Sequence, residues 1–163
     1  MIVAKKKIQK TNAARILDRL GISYELLTYP ADESDLSAAH VAAVTGIPLA
    51  RLYKTLVVRG DRTGVFMAVI PGGGELDLKA AAAASGNKRA EMAHLKEVFD
   101  LTGYVRGGCS PLGAKKAYPV YLDESALMHD RIYISAGRRG EQIALAPGDL
   151  VRAADAVPAN IAR

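Results

Sequence analysis

The sequence predicts a single α+β domain, on three observations. Hydrophobic periodicity switches repeatedly between helical and alternating patterns, which argues against an all-helical bundle or an all-β sandwich. Two apolar, β-branched runs, Val57-Val58 and Val65 to Ile70, flank Gly60-Asp61-Arg62-Thr63-Gly64 and predict an antiparallel hairpin. No 20-to-50-residue repeat and no internal linker divides the 163 residues, a length able to bury one real core.

The elements follow in order. Thr11 caps a helix that runs through Ile16, Leu17 and Leu20 to a stop at Gly21. Residues 23–28 read as a strand. After the polar stretch Asp32 to Asp35, Ser37 caps a short helix ending at Thr45-Gly46, and Pro48 starts a turn before the strand that carries Lys54. Pro71-Gly72-Gly73-Gly74 breaks the second hairpin strand. Asp77 then caps an alanine-rich helix closing at Gly86, and a short helix covers Leu95 to Phe99. Short strands follow at Val120 to Leu122, Ile132 to Ser135 and Gln142 to Leu145, and Asp149 caps a last helix.

Composition narrows the function classes. The formal charge of +5 and a pI near 9.4 favour polyanionic partners. The basic residues fall in clusters: Lys5-Lys6-Lys7 with Lys10, Lys88-Arg89, Lys115-Lys116 and Arg138-Arg139. Lys88, Arg89, Lys115 and Lys116 flank candidate loops and are read as RNA contacts, while residues 1–10 are read as a basic, solvated tail ahead of a domain over 11–163. No apolar run approaches the roughly 18 to 20 residues that cross a bilayer, and no export signal is evident. A lone Cys109 forms no internal disulfide and agrees with a reducing cytoplasm. His40, His94 and His129 lie far apart in no ligand motif, Gly72-Gly73-Gly74 lacks a phosphate-loop ending, and no dinucleotide fingerprint occurs. Neither metal nor nucleotide cofactor is expected.

Chemistry concentrates in two segments. Tyr53-Lys54-Thr55-Leu56-Val57-Val58 sets one amine at the head of an apolar run, and Gly107-Gly108-Cys109-Ser110-Pro111-Leu112-Gly113 offers backbone N–H groups in a glycine-rich loop. A cation with free amides suits an oxyanion developing on an ester carbonyl. Taken alone, Lys54 reads first as a lysine whose stem covers apolar surface at a strand edge. Cys109 reads either as an activated thiol or as loop packing, and no histidine near it in sequence supplies a base. Ser110 and Ser135 also lack a base and read as positioning hydroxyls.

These segments, with Ile22-Ser23-Tyr24, Thr28-Tyr29, Val69-Ile70-Pro71, Gly74 to Lys79, Glu91-Met92-Ala93, Thr102-Gly103-Tyr104, Ile132 to Gly140 and Gly148-Asp149-Leu150, make residues 11–155 resemble the YbaK/EbsC-type aminoacyl-tRNA deacylases. Those enzymes are related to the editing domain of bacterial prolyl-tRNA synthetases. The resemblance implies a mixed, mostly antiparallel sheet curled toward a barrel with helices around it. It implies hydrolysis of mischarged tRNA, with Cys-tRNA(Pro) as substrate and the substrate's own thiol or an activated water as nucleophile. It centres the site on Lys54 and Gly108, the latter with its amide facing the scissile ester, and assigns Tyr29, Thr55, Gly107, Cys109, Ser110, Ser135 and Gln142 to substrate binding. Where some relatives carry aspartate this chain has Gln142, which hydrogen-bonds but is neither base nor counter-ion. The implied partners are an aminoacyl-tRNA and a prolyl-tRNA synthetase, with no DNA and no membrane. Deacylation of another species such as Ala-tRNA(Pro), or a nonenzymatic binding or regulatory role for the same pocket, stay open.

Overall fold

Residues 9–163 are described by the computed structural model. Lys5, Lys6 and Lys7 of the expected basic, solvated tail lie outside the described residues. Lys10, the last residue of that expected tail, is exposed, and its Nζ pairs with Asp18 Oδ2 at 2.7 Å.

The caps read from the sequence form the helices locally. Helix α1 (Asn12–Arg19) starts at Thr11, whose hydroxyl accepts the Ala14 N–H at 3.2 Å, and it buries Ala13, Ala14 and Leu17. Strand β1 (Glu25–Thr28) follows, then α2 (Ala38–Thr45), capped by the Ser37 hydroxyl on the His40 N–H and closed by Gly46. A 3₁₀ turn at Leu49–Arg51 leads into the hairpin of β2 (Tyr53–Gly60) and β3 (Gly64–Pro71). Its two strands run further than the sequence suggests and leave only Asp61, Arg62 and Thr63 between them. Asn87 explains the short connection, because its Oδ1 accepts the Arg62 and Thr63 N–H groups, each at 2.8 Å.

Helix α3 (Leu78–Ser85) is capped by Asp77, as expected. Strand β4 (Ala90–Met92), which the sequence did not signal, precedes α4 (Leu95–Thr102), a turn longer than the Leu95 to Phe99 reading. Then come β5 (Val120–Asp123), β6 (Ile132–Ser135), β7 (Glu141–Leu145), α5 (Pro147–Ala154) and a further unsignalled strand, β8 (Val157–Ala159). Asp149 does not cap α5. Ala146 occupies the cap and Pro147 opens the helix, so Asp149 lies inside the first turn, where its carboxylate faces the positive end of the helix dipole.

The strands form two sheets, β1-β7-β6 and β4-β2-β3-β5-β8. The pairings are mostly antiparallel, with β3–β5 and β5–β8 parallel, so the α+β domain has the mixed sheet architecture expected. One core, with Met67, Val69, Leu122, Ile134 and Ile143, lies between the sheets under α1 and α5. A second packs Val58, Phe66, Ala68 and Ile70 against Ala81 of α3 and Ile161. Buried Asp123 ties the C-terminal segment to β5, its Oδ1 accepting the Ile161 and Ala162 N–H groups at 3.1 and 3.0 Å.

The sheets touch through a parallel bridge between Leu52 and Tyr133 but do not close into a barrel. Strand β4 pairs with β2 only over Val58 to Gly60. The Gly72 N–H reaches the Leu52 carbonyl on the β3 side, and the Ala93 N–H reaches the Val57 carbonyl on the β4 side at 3.0 Å. Strand alternation therefore turns even-numbered backbone groups of β2 toward β3 and odd-numbered ones outward. The Thr55 N–H and C=O point to the stretch of edge that β4 does not reach. A cleft lies along this opening.

Candidate functional site

A cleft of about 690 Å³ follows the open edge of β2. Strand β2 supplies Lys54 and Thr55, the loop after α4 supplies Arg106, Gly107 and Cys109, and the facing sheet supplies Ser135 and Gln142. Met92, Leu95 and Val98 form an apolar wall, and the chain entering α2 forms the wall opposite.

Three polar groups without partners line this cleft. Lys54 is half-buried and no carboxylate among the described residues lies within ion-pair distance of its ammonium. Thr55 Oγ1 and Gln142 Oε1 are buried and unsatisfied. Buried polar atoms are normally paired, so these two orphans, one from each sheet and both lining the cleft, are open to bonds from a ligand. Gln142 is aimed by its other end, since Nε2 donates to the Tyr29 hydroxyl at 3.2 Å. Tyr29 itself follows β1 and acts on the cleft through Gln142. Its N–H donates to the Gly140 carbonyl at 2.9 Å, and a Cβ at Gly140 would come within 2.7 Å of the Tyr29 carbonyl oxygen. Ser135 is buried in the same wall, its Oγ accepting the Gly137 N–H at 3.2 Å.

The glycine loop separates residues that the sequence groups together. Gly107 has φ +82° and lines the cleft against Leu36, a left-handed conformation that favours glycine. Gly108 is glycine for another reason, because a Cβ there would approach the Arg138 and Arg139 backbone to 3.2–3.3 Å. Its N–H donates to the Val105 carbonyl at 2.9 Å, which corrects the expectation of a free Gly108 amide. The Gly107 and Cys109 amides, by contrast, have no backbone acceptor among the described residues. Ser110 is also corrected: it is fully buried, and its hydroxyl shapes the loop by accepting the Leu112 N–H at 3.2 Å.

Burial pushes the Cys109 thiol up to about 12, against a smaller lowering by a hydrogen bond with Thr102. A thiol held protonated at neutral pH is a poor nucleophile. Among the described residues no group of three or more His, Cys, Asp or Glu side chains could hold a metal ion, and no helix is long and apolar enough to cross a membrane.

The basic pairs lie outside this cleft. Lys88 and Arg89 rim a second cleft of about 610 Å³ that shares strand β4 with the first. The Lys115 ammonium sits 5.6 Å from the centre of the Phe99 ring and donates to the Asp100 carbonyl at 3.3 Å, near the C-terminal end of α4. Lys116 beside it is exposed. Arg106 at the cleft mouth was missed by sequence reasoning, although its place directly before Gly107 was a usable signal.

The profile of the aminoacyl-tRNA editing domain matches residues 33–153, a span that holds every cleft residue from Lys54 to Gln142. The chain belongs to the aminoacyl-tRNA editing domain family. It is 52% identical over 146 residues to an Enterococcus faecalis protein provisionally named Cys-tRNA(Pro)/Cys-tRNA(Cys) deacylase EbsC, covering 89% of each chain. A 76-residue stretch, 47% of this chain and 13% of the relative, is 34% identical to the proline–tRNA ligase of Thermosipho africanus. A crystal structure provisionally described as a trans-editing enzyme for prolyl tRNA synthetase superposes with TM-score 0.81 at 26% identity, covering 95% of this chain and 99% of that one. The crystal structure of a hypothetical protein superposes with TM-score 0.85 at 27% identity over 94% of this chain and 100% of that one. In this editing-domain chain the family match and the unpartnered polar groups fall on the same cleft.

Proposed function

We propose that the cleft hydrolyses the ester of a mischarged aminoacyl-tRNA in trans, with Cys-tRNA(Pro) as the substrate. The observation that carries this reading is that the unpaired Lys54 and the unsatisfied Thr55 Oγ1 and Gln142 Oε1 line one cleft along an open strand edge. Lys54 polarises the ester carbonyl and stabilises the oxyanion that develops on it. The outward Thr55 N–H and the Gly107 and Cys109 amides replace Gly108 as backbone donors. Gln142 Oε1 accepts from the α-ammonium of the aminoacyl group, as a neutral acceptor rather than a counter-ion.

The substrate thiol is the nucleophile. Its sulfur forms a bond to the carbonyl carbon, the carbon–oxygen bond to the terminal ribose breaks, and the thiol proton ends on the departing hydroxyl. The products are a cyclic thiolactone and free tRNA, and water opens the thiolactone afterwards. This chemistry suits a cleft whose own thiol is protonated and whose lining includes no histidine. Ser135 shapes the wall beside the acyl group. Lys115 and Lys116, next to α4, add phosphate contacts, and a prolyl-tRNA synthetase supplies substrate in a reducing cytoplasm.

A deacylation panel of Cys-, Ala-, Ser- and Pro-tRNA tests the proposal. Cleavage of Cys-tRNA well ahead of the others supports it. Preference for Ala-tRNA would transfer the activity to that substrate, and no cleavage of any would leave a binding or regulatory module.

A further inference from the structure

The second cleft is built from the far end of the same strands. Arg59 and Gly60 of β2, Ala90 and Glu91 of β4 and the start of α3 line it, and Met92, the next residue of β4, lines the first cleft. Lys79, Lys88 and Arg89 are exposed on its rim, and no carboxylate among the described residues pairs with them. Arg59 is different, being tied to Glu97 of α4. Asp61 Oδ1 accepts the Lys88 and Arg89 N–H groups at 3.0 and 3.1 Å, so the segment that presents these two cations is held in place. Leu78 and Ala82 give the cleft apolar surface.

Three unpaired cations around an apolar floor fit a ligand with several phosphates and flat apolar faces, which is the chemistry of a single-stranded nucleic acid. The spacing fits as well. From Lys54 to Arg59 the strand rises about 17 Å at about 3.3 Å per residue, a span of roughly five stacked nucleotides at about 3.4 Å per step, or fewer if the strand is extended.

We propose that the second cleft holds the unpaired nucleotides preceding the acylated end of the substrate RNA, with their phosphates on Lys79, Lys88 and Arg89 and a base or sugar against Leu78 and Ala82. This rests on the deacylase reading above. The RNA thus runs along β4 from one cleft to the other, and the edge of the sheet sets how much single strand the protein needs.

The test is fluorescence anisotropy with a short, unacylated single-stranded RNA ending in CCA, titrated at several salt concentrations. Replacing the three cations together (Lys79→Gln, Lys88→Gln, Arg89→Gln) should weaken binding at least about tenfold at low salt. It should also flatten the log–log salt slope by about 2, for three single-strand phosphate contacts at about 0.7 each. Glu91→Lys, which adds a cation to the same rim, should tighten binding and steepen the slope. The pair Arg15→Gln and Arg19→Gln, on α1 and lining neither cleft, should leave the slope unchanged. An unaltered slope in the triple variant, no gain from Glu91→Lys, or equal flattening in the α1 pair would overturn the proposal. The probe carries no ester, so loss of the deacylase reading registers separately: wild-type protein would bind RNA through this cleft yet cleave no aminoacyl-tRNA.

Discussion

Replacing Lys54 with methionine removes one charge and leaves most of the apolar stem. The ammonium has no carboxylate partner among the described residues, so its field is directed into the cleft. Two unit charges about 4 Å apart interact by about 1 kcal/mol in water and about 4 kcal/mol in the environment of a protein surface. A half-buried lysine at a cleft mouth falls between those limits, at about 2–3 kcal/mol. Each 1.36 kcal/mol is tenfold in rate, so the expected loss is about a hundredfold. That matches the scale on which removing one oxyanion donor acts. Stability should change by less than about 0.5 kcal/mol, because no ion pair is broken. The assay is single-turnover deacylation of radiolabelled Cys-tRNA at saturating enzyme, beside a thermal melt. Turnover within about threefold of wild type, in a variant that melts normally, would refute the role assigned to Lys54. Lys54→Ala should lose activity to a similar degree.

Cys109→Ala and Cys109→Ser should keep most activity, and mass spectrometry of quenched reactions should find no acyl group on Cys109; a trapped thioester there would reverse the assignment. The same thiol gives a pH signature. Its folded pKa of about 12 lies above the ordinary value of 9.0, so between those limits the unfolded chain holds fewer protons and stability falls as pH rises. Cys109→Ala should flatten that alkaline loss in denaturant titrations, and an identical pH profile in the variant would show that the thiol is not buried as described. Early quenching of Cys-tRNA cleavage should release a thiolactone before free cysteine; free cysteine alone at the earliest times, with comparable rates on Ala-tRNA, would point to activated water. Gly108→Ala should lower stability by about 1–3 kcal/mol through its contact with the Arg138 and Arg139 backbone, measurable by urea unfolding, and a neutral result would mean that the loop yields freely.

What the sequence made legible was local. Thr11, Ser37 and Asp77 were recognisable as caps because each hydroxyl or carboxylate serves an amide within three residues of itself. The hairpin was legible because its partners are neighbours in the chain. Asp149 was misread because Pro147 already opens α5, a position where a missing N–H costs nothing. Strands β4 and β8 are only a few residues long and carry no alternating pattern, and β8 is held by a parallel partner far back in the chain. The site divides in the same way. Lys54 and the glycine loop stand out by residue type, whereas the Gly108 hydrogen bond, the orphaned Thr55 and Gln142 oxygens and the position of Arg106 depend on how distant segments meet.

The incomplete pairing of β2 bears on how such a site tolerates sequence change. At the open edge the Thr55 N–H and C=O belong to the main chain, so nearly every substitution at that position would preserve them; only proline would remove the donor. The groups most exposed to mutational drift are instead those on α2, α4 and the Arg106 loop, which shape the walls and the mouth. A lineage could therefore retune which acyl group enters by altering the walls, while inheriting unchanged the backbone groups that line the floor.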